Sequence, residues 1–341
     1  MTSDLSVIRR GSIAFLSRHQ ATLWWLHSFW ALGCGVAVMW IGTRHFAFVR
    51  VAVLYVAVIW LVSLFSPWLL ARPALSERAH WLRLGVNYVS RNFYQQVLFF
   101  VLPIYYASAT PGSVNMIFVA LVAISALVST LDLVYDRHLS TNRDLVAAFF
   151  ALNLFACLTA AVPIVWHVGP SLALRVSAGL SFVGFASFYL GRRVGDHPRP
   201  WIGMLTVVLV LALVITYGQR LIPPVPMRLS SAAFGDQVER QTLHMSARFD
   251  HVPAGWSGTL DAVTAINAPM GLTESVRHRW QIDGATVRTT NAHRVNGGRR
   301  DGFRLWTALP IEHAPAGARI SMDVETDAGQ LIGRATIRVA R

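Results

Sequence analysis

The sequence predicts an α-helical polytopic membrane bundle of about seven transmembrane helices followed by an all-β sandwich domain. Three observations predict it: the chain is poor in charge, its first two thirds hold long apolar runs, and its last third alternates with a period of two. Only 14% of residues are charged while 54% are hydrophobic, whereas soluble domains carry roughly 25% charge. The 341 residues accommodate a helical bundle and one further domain.

The net charge of +13 would suggest nucleic acid in a soluble protein. Its distribution argues against that partner. All 30 basic residues are Arg, and 16 of them precede residue 228 against six acids. That excess lies between the apolar runs, where orientation signals belong. Cys34 and Cys157 both sit inside apolar runs and read as packing residues. With no further cysteine, the C-terminal domain folds without a disulfide, and no Cys-rich metal site is expected.

Crossing about 30 Å of hydrocarbon takes roughly 20 helical residues. The runs that meet or approach this lie near Thr22–Ile41, Phe46–Leu70, Phe93–Ala107, Val114–Tyr135, Leu145–Trp166, Leu172–Leu190 and Trp201–Tyr217. The first is too long for a signal-peptide core and reads as an uncleaved anchor. The third is short and contains Pro103. Before it, Leu82, Val86, Val89 and Phe93 form one helical stripe, as an interfacial lead-in would.

Placing the N-terminus inside puts 12 arginines in the inside segments, among them Arg9, Arg72, Arg137 and Arg192. The connections Thr110–Ser113 and His167–Ser171 hold none. The positive-inside rule then sets the orientation as N-in and C-out. Trp24, Trp25, Trp40, Trp68, Trp166 and Trp201 fall near predicted interfaces. The resulting division is a cytoplasmic segment at 1–21, a transmembrane domain at 22–217, a Pro-rich linker at 218–226 and a periplasmic β-sandwich domain at 227–341. The location is the bacterial inner membrane, multi-pass, with the lipid bilayer as a partner.

In the last third, Leu243, Met245, Ala247 and Phe249 alternate with polar residues, as do Ile320, Met322 and Val324, and Ala335, Ile337 and Val339. Asp283–Gly284 and Asp327–Gly329 are hairpin signals. Seven or eight short strands in about 115 residues suggest an immunoglobulin-like sandwich. The run His278-Arg279-Trp280 with Gly284, and the ending Asp327-Ala328-Gly329 with Arg334-Ala335-Thr336-Ile337-Arg338-Val339, resembles a bacterial soluble domain known only as a domain of unknown function. Such domains often follow multi-pass membrane regions. The resemblance covers roughly the last third and implies an architecture, not an activity.

The most suggestive cluster for binding is Arg277, Arg279, Arg288, Arg294, Arg299, Arg300 and Arg304, interleaved with Trp280 and Trp306. Planar guanidinium groups suit phosphate and carboxylate recognition. Arg277, Arg279, Arg299, Arg300 and Arg304 are therefore the candidate ligand-binding residues. The alternation turns His278, Trp280 and Ile282 to one face, so Trp280 reads as core. Polar residues within the apolar runs are Asp132, Asn153, Gln95, Gln96 and His27. Two inside connections hold Asp136, Arg137, His138, Arg143 and Asp144, and Arg192, Arg193, Asp196 and His197.

No zinc-protease, phosphate-loop or nucleophile-elbow motif occurs. Catalytic residues are not identifiable, and no metal or cofactor is implied. The expected function is non-enzymatic: an integral envelope protein whose periplasmic domain binds a protein or an anionic lipid or glycan. The alternatives are a membrane enzyme acting on envelope lipids or glycolipids and, behind it, a transporter.

Overall fold

The computed structural model describes residues 29–30, 32–33, 36–37, 97–131, 142–190, 200–313 and 315–341. Beyond short helical pieces at residues 29–37, the helices are α1 (Val97–Ser108), α2 (Met116–Thr130), α3 (Arg143–Trp166), α4 (Pro170–Leu190) and α5 (Pro200–Thr216). A 3₁₀ turn, Gly218–Leu221, leads into nine strands.

The expected fold class, a polytopic bundle of about seven membrane helices, does not hold. Among the described residues, one helical stretch, Asp144–Trp166, is both long and apolar enough to cross a membrane. The reason is where the backbone stops. Hydropathy extends through residues that turn, so the fourth run shrinks to 15 helical residues, about 22 Å long; of the third run, the described part is helical from Val97 to Ser108. The helix α2 ends at Leu131, whose ψ of 89° leaves the helical region. The last run yields 17 residues, about 25 Å. The two runs Thr22–Ile41 and Phe46–Leu70 lie outside the described residues, apart from the pieces at 29–37.

The best-specified helices are α3 and α4. The Asn142 side chain accepts from the amides of Asp144 and Leu145 at 3.0 and 3.3 Å, satisfying two of the donors every helix start leaves open. The helix ends at His167, which takes a left-handed conformation. Pro170 then starts α4 at the position where its missing N–H costs nothing. Ala156, Cys157 and Ala160 of α3 share a core with Leu174 and Ala178 of α4, and with Leu98, Tyr105 and Phe118. The Tyr105 hydroxyl donates to the Ala156 carbonyl at 2.7 Å. Cys157 is a free, buried thiol in this core.

The strands are β1 (Arg228–Glu239), β2 (His244–Arg248), β3 (Gly258–Asn267), β4 (Thr273–Ile282), β5 (Ala285–Thr289), β6 (His293–Asn296), β7 (Phe303–Ile311), β8 (Arg319–Thr326) and β9 (Leu331–Arg338). They form two antiparallel sheets, β2-β1-β3-β7 and β5-β4-β8-β9, with β6 also on β4. Alternation explains the core between them. Leu260, Ala262 and Ile266 of one sheet meet Val276, Trp280, Met322 and Val324 of the other. Phe234 stands edge-on to the Trp280 ring, 5.9 Å between centroids. The β4–β5 hairpin turns at Asp283–Gly284, both with positive φ, as a two-residue primed turn requires.

Buried contacts join the helices to the sheets. Ile222 and Val225, inside the Pro-rich segment, belong to the helical core, and Met227 belongs to the sheet core. Gln330 Nε2 donates to the Ile222 carbonyl at 3.3 Å, and Asn115 Nδ2 to the Leu331 carbonyl at 3.2 Å. Glu274 of β4 accepts from the Ser171 amide at 3.1 Å, placing a carboxylate at the positive end of α4. Gly169 permits this approach, since a Cβ there would lie 2.5 Å from the same carboxylate oxygen.

Candidate functional site

The five candidate arginines fall in three places. Arg277 and Arg279 project from β4 beside β8, where the register sets them opposite Glu325 and Asp323. Arg277 Nε lies 2.9 Å from Glu325 and its guanidinium 3.6 Å from Asp327. Arg279 lies 2.9 Å from Asp323 and 3.4 Å from Glu325. Asp323 is opposite Arg334 on β9 and binds it through both carboxylate oxygens. Three strands are thus tied by a row Arg279–Asp323–Arg334. The Asp323 carboxylate raises the Arg334 guanidinium above its usual range, mainly by hydrogen bonding. Asp323 is fully buried, and these partners satisfy its carboxylate where water cannot reach it.

Arg304, on β7, donates to the Thr242 carbonyl at 2.9 Å and so holds the tip of the β1–β2 hairpin. Close by, the Arg240 guanidinium covers the Trp306 ring at 5.6 Å. Asp261 of β3 belongs to the same region. Burial raises its carboxyl above the usual range, Trp306 opposes, Asp236 adds and Arg240 opposes.

Arg299 and Arg300 lie in the β6–β7 connection. Arg299 stacks over Phe303 at 5.1 Å. Both side chains are exposed, and neither has an acidic partner among the described residues. Of the five candidates, these two present their charge outward.

A relay of hydrogen bonds that sequence reasoning missed crosses the sandwich. Trp280 Nε1 donates to Thr307 Oγ1 at 3.2 Å, and Thr264 Oγ1 donates to the Leu305 carbonyl at 3.3 Å. His278 sits between them, Nδ1 2.7 Å from Thr307 Oγ1 and Nε2 2.9 Å from Thr264 Oγ1. One proton arrangement satisfies every member: Thr307 donates to Nδ1, and Nε2–H donates to Thr264. The imidazole is neutral there. Burial lowers it from 6.5 to about 3, with His293 adding to the effect. This relay ties β4 to β3 and β7. The alternation placed His278 inside, but its partners come from strands that only folding brings near.

A cleft of about 510 Å³ lies between Leu229–Phe234 of β1 and Arg334–Ile337 of β9, with Arg248 and Asp250 at its margin. The strand β9 is the edge of its sheet, and β2 pairs β1 only from Gly235 onward. Both walls therefore present strand edges without a neighbouring strand. Their lining combines the small Ser230, Ser231, Ala232, Ala233 and Ala335 with the larger Phe234, Phe249, Arg334 and Ile337.

Among the described residues, no group of His, Cys, Asp and Glu is placed to hold a metal ion. His27, Gln95, Gln96, Asp132, Asp136, Arg137, His138, Arg192, Arg193, Asp196 and His197 lie outside the described residues. Asp144 lies in the first turn of α3, where its amide donates to the capping Asn142 side chain. Asn153 is 1% exposed, and both polar atoms of its amide lack a hydrogen-bond partner among the described residues.

No curated protein matches the chain. Among solved structures, the alkylpurine DNA glycosylase AlkC of Pseudomonas fluorescens, bound to DNA containing an abasic site analog, aligns at 15% identity. The alignment covers 83% of this chain and 77% of that one, with a TM-score of 0.22. Residues 3–255 match a family of unknown function, DUF5924. The match takes in the helices and the first two strands and stops before the stretch 278–339 that carried the sequence resemblance. With most of its length matched, the chain belongs to the DUF5924 family.

Proposed function

We infer that this protein is a non-enzymatic, membrane-mounted binding protein of the bacterial inner membrane, with its β domain on the periplasmic side. One observation carries the reading. The helices expose apolar side chains on a scale that water does not favour. On α5 these are Trp201, Ile202, Leu205, Val208, Leu209, Val210 and Leu213, and on α2 Ile117, Leu121, Ile124 and Leu127. Exposed apolar faces of this extent mark membrane or protein contact. Exposed Tyr106, Trp166 and Tyr217 stand at the ends of α1, α3 and α5, as residues at a membrane interface do. The two Arg-free connections reach the β domain, through Asn115 and through Ser171, which favours the outer side for it.

The β domain is the binding part in this reading. Its open-edged cleft suits an extended protein segment added as a strand, while Arg299 and Arg300 suit an anionic envelope component.

The decisive experiment substitutes Leu209→Glu. In a bilayer an acidic residue near a helix centre costs up to about 2.5–3.5 kcal/mol; on a water-exposed surface it changes stability by at most about 0.5 kcal/mol. The expected result is a carbonate-resistant wild type and a variant that loses membrane retention. Wild-type protein in the soluble fraction, or a variant retained as well as wild type, overturns the reading.

A further inference from the structure

We propose that the helix-facing rim of the β domain, Met270 with Arg299 and Arg300, rests on the bilayer and binds its anionic lipid phosphates. The proposal builds on the membrane reading above and names the partner of its outward arginines.

The placement follows from the strand directions. The β3–β4 connection, the β6–β7 connection and the β8–β9 turn all lie at the end of the sandwich that meets the helices. Gln330 and Leu331 touch Ile222 and Asn115 there, and a Cβ at Gly271 would lie 3.2 Å from His167. The first two connections are hydrogen-bonded to each other: Gly297 N–H donates to Leu272 at 2.9 Å and Gly298 N–H to Ala268 at 2.9 Å. Gly298 packs on Met270, a Cβ there falling 3.1 Å from the Met270 side chain. An unbroken path of neighbours thus runs from Trp166 at the end of α3, through His167, Gly271, Met270 and Gly298, to Arg299.

Met270 is 75% exposed, an unbranched apolar side chain with Gly298 against its base. Trp166, three steps along that path, is 61% exposed. Trp and Tyr at helix ends mark the headgroup level, so Met270 sits where acyl chains begin. Arg299 and Arg300 then reach the phosphate layer. Their charge meets one acid in the same connection, Asp301, and the stacking of Arg299 on Phe303 leaves its N–H edge free for a phosphate. A basic pair beside an apolar anchor is the pattern of anionic-surface binding.

The test uses full-length protein in nanodiscs, with an environment-sensitive fluorescent amino acid at position 270, 209 or 285 and brominated lipids as quenchers. Discs of phosphatidylcholine alone are compared with discs containing phosphatidylglycerol. Quenching is expected at 209 in both, and at 270 with a several-fold rise when phosphatidylglycerol is present. None is expected at 285, on the far hairpin. The double variant Arg299→Glu/Arg300→Glu should lose the rise, and Arg299→Lys/Arg300→Lys should keep most of it, which separates lost charge from a misfolded loop. Quenching at 209 without any at 270 overturns the rim proposal and leaves the membrane reading standing. Quenching at neither overturns both. A rise that survives the double Glu variant removes the arginines from the contact. A rise abolished by millimolar inorganic phosphate at constant ionic strength replaces the bilayer with a soluble anion as their ligand.

Discussion

The helical half and the β half of this molecule differ in where they turn their apolar side chains. The sandwich buries His278, Asp323 and Glu325 and surrounds them with partners, from the threonine–tryptophan relay to Arg277, Arg279 and Arg334. Its apolar residues are turned inward, with Met270 and Val287 the large exceptions. The helices expose Leu, Val and Ile and bury the Asn153 amide and the Ser177 hydroxyl without a hydrogen-bond partner among the described residues. The contrast is what the membrane reading proposed above expects of the two halves. Water rewards the first arrangement and penalises the second.

The sharpest way to break the comparison is in the row of charges across β4, β8 and β9. Asp323→Ala removes the shared acceptor of Arg279, Gln281 and Arg334. Breaking a buried pair costs about 3 kcal/mol or more. Native-state hydrogen exchange in the full chain should show β8 amides losing protection while those of α3 keep theirs. Equal loss in both halves would mean that they unfold as one unit.

His278 comes next. Its folded value of about 3 lies below the unfolded 6.5, so between these values the unfolded chain binds a proton that the native chain refuses. Its contribution is full above about pH 6.5 and declines as pH falls toward 3, at about 1.4 kcal/mol per pH unit. Exchange protection of β4 measured across that window should fall more steeply for wild type than for His278→Gln. Parallel curves would show that the relay does not carry the dependence.

A smaller effect sharpens the boundary between the halves. Glu274→Ala deletes the carboxylate at the start of α4, costing about 1 kcal/mol. Faster exchange at Ser171 with unchanged exchange in β7 is the expected outcome. Smallest of all, a photo-crosslinking amino acid at Ser231 tests the cleft. It should give a protein adduct in cells that Ala232→Pro diminishes, with stability changed little. An adduct formed equally from Ser246, or none from either position, counts against strand addition at that edge.

Local rules made part of this legible. Because successive side chains in a strand point to opposite faces, the alternation around Trp280 separated His278 and Trp280 from Arg277 and Arg279 before any contact was known. The Asp283–Gly284 turn was readable because two residues with positive φ leave few choices. Hydropathy was a weaker guide. It located apolar stretches and the connection at Thr110–Ser113 but not the end of α2 at Leu131, since Leu and Val are as apolar outside a helix as within one. The arginine cluster was the least legible feature. Seven arginines close in sequence are dispersed because β4, β5, β6, the β6–β7 connection and β7 carry them in different directions. The acids that neutralise two of them lie more than 40 residues away.

The sequence by itself determined composition, apolar runs, strand alternation and turn sites, all set by neighbours within a few positions along the chain. Only the tertiary structure decided which arginines are paired and which face outward, where the helices end, and that the Pro-rich segment is buried between the halves. Those outcomes depend on register and packing between elements far apart in sequence. Strand pairing puts Asp323 opposite Arg279, and loop contact sets Arg299 beside Met270. No local rule ranks those pairings ahead of the alternatives that a different register would have made.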